Sequence, residues 1–382
     1  MRVYSKTVNV YNVIEDINGL GSPHSPHIGW DEVKNAKSYA VSIIDHEACG
    51  VAGLSFIHWG VLNIKGDHIC RDSSIRKAKE LFQIENSLSK KALNPLIHQS
   101  SLIDNANSYY GPKPPDQDHV YEVRVYALDF EHVSEVWDIE KPMFWKDFDN
   151  IVAEHKIDSG VLTFSSQKAI EENGKCYHEE SATHGLFYVL NENDELEELR
   201  VSMTDFEKDE QGNFWLDKQF YLETSNTADW ANKNSPAFKI KNIKGVKEYA
   251  IFVFNNNTSK EWSLVSCEYA VLGIRSQKGD WTIIEKNDLN SKDRTRLPIN
   301  NSYSETTIVP KNIKQLYKNR QSKWNVTMHN EFAENNSNHV MMIFALDQTI
   351  TTRDQALNPA DAYRFVKNKV IGEKIIRFKL KK

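Results

Sequence analysis

The feature that most constrains this chain is a set of short β-like runs that occurs twice at one spacing. Ser25-Pro26, KSYAVSIID (37–45) and HWGVLNI (58–64) are echoed by Ser235-Pro236, KEYAIFVFN (247–255) and EYAVLGI (268–274), each at an offset of 210. Both halves then reach an aromatic-Ala-Leu-Asp segment, YALD at 126–129 and FALD at 344–347. There the offset is 218, so the second half carries eight more residues in the intervening loop. A spacing shared at three separate points implies a tandem duplication. The expected division is a first domain over 1–166, a polar connector over 167–184 and a diverged second copy over 185–382.

The runs themselves set the fold class. VYEVRVYALD (120–129), GVLTFSS (160–166), GLFYVLN (185–191), NFWLDKQFYLE (213–223) and HVMMIFALD (339–347) are rich in Val, Ile, Tyr and Phe and are punctuated by Gly, Asn, Asp and Pro. Helical patterns are few. One is expected from Asp72 as cap through Ile75, Ala78, Leu81 and Phe82, one through Phe144, Phe148, Ile151 and Val152, and one over Ala360–Val370. The basic end, KIIRFKLKK, reads as a last strand with one solvated face. The class is mainly β with a few peripheral helices.

Composition excludes several functions. With 40% hydrophobic, 26% charged and 11% aromatic residues the chain can build a core in each half, and 382 residues suit two domains. A net charge of −6 argues against a nucleic-acid partner, whose backbone needs a concentrated basic surface. No window approaches the roughly 20 apolar residues of a membrane span. The opening MRVYSKTVNV lacks the apolar stretch of a secretory leader, and four scattered cysteines form no C-x-x-C pair. A cytoplasmic location, no membrane insertion and no cofactor are expected.

Polar residues stand where plain strands do not need them. Asp45 ends a buried-looking strand, followed by His46 and Glu47; His58 and Trp59 interrupt an apolar run. Tyr109-Tyr110-Gly111-Pro112-Lys113-Pro114-Pro115 is a stiff loop, and His119 and Tyr121 share one face of the next strand. In this order, with S-P-H-I-x-W before them and YALD after, these motifs resemble the phosphatidylethanolamine-binding protein family, its bacterial and archaeal branch above all. The resemblance runs across 1–166. It implies tandem antiparallel β-sandwiches and a small anion or phosphate pocket. Asp45, His58, His119 and Tyr121 line that pocket, Glu47 and Trp59 belong to the same motifs, and Gly111, Pro112 and Pro114 form the rim. It also implies a phosphorylated small ligand and, as a protein partner, a kinase or protease. An Asp beside two imidazoles is sensible chemistry for an anion, because it can orient or charge a histidine that then donates to an oxyanion.

Two departures from the family pattern matter. The usual D-P-D-A-P is here Asp45-His46-Glu47-Ala48-Cys49, without either proline and with a third imidazole. In the second copy the pocket positions become Asn255, Glu268 and Ser337, and His329-Asn-Glu-Phe-Ala replaces the Gly-Pro-Pro loop. Acid–base groups are present without a nucleophile beside them, since Ser55 and His58 point to opposite faces of one strand. A non-enzymatic binding protein is therefore expected. The alternatives are an interaction scaffold built from the paired domains, and a small-molecule hydrolase or metal site.

Overall fold

A computed structural model describes residues 1–8, 13–52, 54–89, 106–172, 175–178, 196–223, 234–256, 264–290, 297–298, 324, 327–328, 338–350, 359–367 and 369–381. The chain divides into two compact units. One comprises Met1–Val51, Ser55–Glu195 and Glu261–Leu264; the other comprises Ala52–Leu54, Leu196–Lys260 and Val265–Lys382. Both are mainly β.

In the first unit the strands are β1 (Val3–Tyr4), β2 (Ile28–Trp30), β3 (Ser38–Asp45), β4 (Ser55–Ile64), β5 (His68–Ile69), β6 (Phe82–Gln83), β7 (His119–Leu128), β8 (Lys156–Ser166), β9 (Ala169–Glu172) and β10 (Lys175–His178). A large antiparallel sheet runs β6-β4-β3-β7-β8, and a small one runs β1-β2-β5. Ile28, Trp30 and Ile69 of the small sheet share one core with Val41, Ile43, Val61, Val123 and Val125 of the large sheet, which makes the unit a sandwich. The helix Trp145–His155 packs on the opposite face of the large sheet, with the Phe148 ring edge-on to Tyr126 at 6.0 Å. Covered on both faces, β3 and β7 are buried at every position, so they read as nearly continuous apolar runs. Each buried Val or Ile there contributes about 1.5–3 kcal/mol.

In the second unit the long strands pair in the order Phe206–Lys208, Phe214–Leu216, Val370–Leu380, Asn338–Leu346, Glu248–Asn255, Leu264–Arg275. A small sheet joins Val201–Met203, Phe238–Lys241 and Trp281–Ile284. Phe238, Ile240 and Ile284 share a core with Ile251, Val253, Met341 and Ile343. The helix Pro359–Lys367 sets Tyr363 against Phe252 and Phe344.

Several sequence expectations are corrected. The helix expected from Asp72 to Phe82 is only Ser73–Arg76. Asp72 adopts a left-handed conformation (φ 64°) and turns its carboxylate to His24 and Arg76 instead of capping, and Phe82 starts β6. The last helix ends at Lys367, and Val370 already pairs with Leu346 in the closing strand. Within 213–223, two short strands flank a 3-10 turn over Lys218–Phe220. The stretch read as a connector contains the β9–β10 hairpin, and 185–191 lies outside the described residues. All four cysteines are free thiols. Among the described residues no helix is long and apolar enough to cross a membrane.

Candidate functional site

Strand pairing brings the first cluster together. Asp45, the last residue of β3, lies opposite Tyr121 of β7, and His119 stands two residues before Tyr121 on the same face. The Asp45 carboxylate is then shared two ways. Its Oδ1 accepts the Ala48 N–H at 3.0 Å, closing the turn after β3. Its Oδ2 accepts from His119 Nδ1 at 2.7 Å, and its charge reaches Tyr121 on the paired strand. The second His119 nitrogen, Nε2, donates to Asp116 Oδ1 at 2.9 Å. One imidazole is thus clamped between two carboxylates.

His58 enters from β4. Its Nδ1–H donates to the Tyr110 carbonyl at 2.7 Å, while the Tyr110 N–H donates back to the His58 carbonyl at 3.1 Å. Its ring stands edge-on to Tyr121 at 5.1 Å and lies parallel to Tyr110 at 6.1 Å. Because a carbonyl only accepts, the Tyr110 contact places the proton on Nδ1 and leaves Nε2 with a lone pair in the neutral ring.

The two histidines titrate in opposite directions. Burial pushes His58 down to about 4, against the smaller pulls of Asp45 and the Tyr110 carbonyl. Burial also opposes charge on His119. There the Asp45 charge, the bonds to Asp116 and Asp45, and the Glu47 charge outweigh it and raise the ring to about 10. Asp45 follows the same logic: burial favours its neutral acid, but the His119 charge and hydrogen bond win and hold it below the usual carboxylate range. Burial likewise favours neutral Asp116, and the bond to His119 overrides it, so its pKa is lowered too. The Tyr121 hydroxyl is pushed well up by burial and then by Asp45. At neutral pH the cluster therefore holds one imidazolium, two carboxylates and one neutral imidazole.

The Gly-Pro-Pro loop is held by backbone bonds. Leu20 N and Gly21 N donate to the Pro112 and Gly111 carbonyls, Gly111 N donates to Ser22, and Ala169 N donates to Pro114 at 2.8 Å. A Cβ on Gly111 would lie 2.7 Å from Asn18 O, 2.8 Å from Gly19 O and 2.9 Å from Ser22 N, so the close chain approach requires glycine here.

Of the residues singled out in the sequence, the structure gathers Asp45, His58, His119 and Tyr121. Glu47 sits behind them, fully buried, and accepts the Val120 N–H at 3.2 Å. Trp59 is not at the cluster: one residue along β4 from His58, its indole N–H donates to Gln83 at 2.7 Å and its ring meets Tyr109. The third imidazole, His46, is turned to Ser55 (Nδ1 to Oγ, 3.0 Å), which also contacts the Cys49 thiol at 3.4 Å. The residues replacing the two prolines thus meet each other at a buried serine. Sequence reasoning missed Asp116; its only signal was an acidic side chain three residues before His119.

The second unit has a different cluster at the offset positions. Asn255 Nδ2 donates to Glu268 Oε1 at 3.0 Å, and His339 Nε2 lies 3.1 Å from Glu268 Oε2. The His339 ring stacks on Phe378 at 5.2 Å. Ser337 and 329–333 lie outside the described residues.

Comparison with known proteins agrees with the motifs. Residues 5–167 match the family model described as phosphatidylethanolamine-binding protein. The Bacillus subtilis protein YxkA is 35% identical over 111 residues, 27% of this chain; the chain spans 61% of the length of that relative. Among solved structures, the phosphatidylethanolamine-binding protein homologue CT736 of Chlamydia trachomatis is 20% identical, with 44% of this chain and 96% of that chain covered at a TM-score of 0.33. E. coli YbcL, a member of the same family, is 18% identical, with 43% and 96% covered at 0.33.

Proposed function

We propose that the first unit, whose residues 5–167 carry the phosphatidylethanolamine-binding-protein sequence, binds a small anion or phosphoryl group without turning it over. The observation that carries this reading is the buried His119 ring, hydrogen-bonded to Asp45 and Asp116 near His58 at the end of the sheet, where those carboxylates favour its charged form. With Asp45 and Asp116 already paired to that ring, what it offers an oxyanion is a fixed, buried N–H donor rather than net positive charge. His58 supplies the second contact: an arriving anion draws a proton onto Nε2, which then donates to it.

The second unit, in this reading, is a diverged copy. Its internal register supports that: Tyr39 pairs with Ala127 and Asp45 with Tyr121, while Tyr249 pairs with Ala345 and Asn255 with His339. The offsets are again 210 and 218. A framework kept without its pocket residues suits a partner-binding role, which is the scaffold alternative confined to this unit. A kinase or protease remains the class of partner the family suggests.

The test is calorimetric titration of sulfate, phosphate and phosphoethanolamine into wild type and His58→Ala/His119→Ala at pH 6 and pH 8. Sulfate does not titrate in this range, so its pH dependence reports the protein alone. Uptake of one proton by a His58 whose free value is about 4 predicts affinity rising about tenfold per pH unit as pH falls. Binding that is independent of pH, or unchanged in the double variant, removes the proposed site.

A further inference from the structure

We propose that Asp116 is a tethered occupant of the anion position: its carboxylate holds the outward N–H of His119 and must leave before an external anion binds. This rests on the anion reading above and adds the device that controls it.

The donors of the cluster can be followed one by one. His119 gives Nδ1–H to Asp45, which is itself buried. The Tyr121 hydroxyl feels the same Asp45 charge, which leaves the imidazole N–H groups to be placed. His58 gives Nδ1–H to the Tyr110 carbonyl and, while neutral, has no second N–H. That leaves His119 Nε2–H, and Asp116 takes it at 2.9 Å. The His119 side chain is 1% exposed, whereas that of Asp116 is 41% exposed, so solvent meets the imidazole through its carboxylate partner. A phosphate oxygen reaching Nε2–H competes directly with Asp116, an acceptor of the same charge and geometry.

Its backbone does not have to move for release. Two residues before it, the Pro114 carbonyl accepts Ala169 N at 2.8 Å; two residues after it, Asp118 Oδ1 accepts Lys168 N at 2.9 Å. The loop is pinned on both sides, and rotation about the Asp116 Cα–Cβ bond is enough to expose the nitrogen. A ligand that must displace such a competitor binds with its affinity reduced by the fraction of time the site is uncovered. At about 90% occupancy by Asp116 the reduction is about tenfold.

The experiment titrates sulfate at pH 7 into the full chain as wild type, Asp116→Asn, Asp116→Ala and Asp118→Asn. Asp116→Ala is expected to bind sulfate at least about tenfold more tightly than wild type, and Asp116→Asn, whose neutral amide oxygen still accepts from Nε2–H but more weakly, to gain less yet more than about twofold. Asp118→Asn, which removes a nearby charge but keeps an acceptor oxygen for Lys168, is expected to stay within about twofold. Measurable wild-type binding with no gain in the Asp116 variants overturns the gate and leaves the anion site standing. An equal gain in Asp118→Asn also overturns it, because general charge removal then accounts for the effect. Absence of sulfate binding in every variant overturns the anion site and the gate together. If Asp116→Ala does not fold, Asp116→Asn alone decides among these outcomes.

Discussion

The clusters of the two units place the carboxylate on different strands. In the first unit the carboxylate ends the strand Ser38–Asp45 and its imidazole partner comes from the neighbouring strand, with a second carboxylate reaching in from a loop. In the second unit an amide, Asn255, ends the corresponding strand, and Glu268 from Leu264–Arg275 lies beside both Asn255 and His339. The first arrangement leaves one member, Asp116, in contact with solvent; in the second, Glu268 and His339 are 1% and 0% exposed. A buried polar group must find partners wherever it lies. A site kept for a ligand leaves one of those partners replaceable, and Asp116 meets that description.

The largest expected effect is on the pH dependence of the first unit. His119 is raised to about 10 from an unfolded value near 6.5, so its contribution is complete below pH 6.5 and is lost as pH rises toward 10. The loss is on the order of 5 kcal/mol. His58 is lowered to about 4, so its contribution is complete above pH 6.5 and is lost as pH falls toward 4, on the order of 3 kcal/mol. Calorimetric unfolding of wild type against His119→Gln should show a gap that closes on the alkaline side. Wild type against His58→Gln should show one that closes on the acid side. A flat difference on either side would break the charge assignment for that ring.

Next in size is the matched pair Asp45→Asn and Glu268→Gln. The first leaves a buried imidazolium with one carboxylate instead of two, at a cost of about 3 kcal/mol. The second replaces a carboxylate by an amide that can still face Asn255 and His339, at a cost of about 1–2 kcal/mol. Denaturant unfolding of both variants measures the difference. If Glu268→Gln costs as much as Asp45→Asn, the second cluster carries buried charge to the same degree, and the contrast drawn between the units disappears.

Much of the fold was legible because its central strands are buried on both faces and so stand out as apolar runs. EYAIFVFN, for example, is the strand Glu248–Asn255. The Asp72 helix failed because a good capping residue chose a left-handed turn, a choice made by His24 and Arg76 and invisible in local spacing. In the site, Asp45, His119 and Tyr121 were legible because strand alternation and pairing bring such residues together. The same alternation turns Trp59, expected among the site residues, away from His58 and toward Gln83. Asp116 had no periodicity to reveal it, since it lies in a loop whose path depends on distant backbone bonds. The Glu268–His339 contact needed the register of three strands, which spacing at 210 and 218 indicates only in part.

The smallest expected effect concerns the turn that lost its prolines. His46 and Cys49 both contact Ser55, and the residue offset by 210 in the second unit is the buried Val265. Ser55→Val gives the first unit the apolar residue of the second at this place. It replaces the hydroxyl bonded to His46 by two methyl groups, for a destabilisation of about 1–2 kcal/mol in denaturant unfolding. Anion affinity is expected to stay within about twofold, because Asp45 is fixed independently by Ala48, His119 and its strand pairing with Tyr121. A tenfold fall in affinity would mean that the His46–Ser55–Cys49 contacts position Asp45. The turn, rather than the strand pairing alone, would then separate a binding unit from its diverged copy.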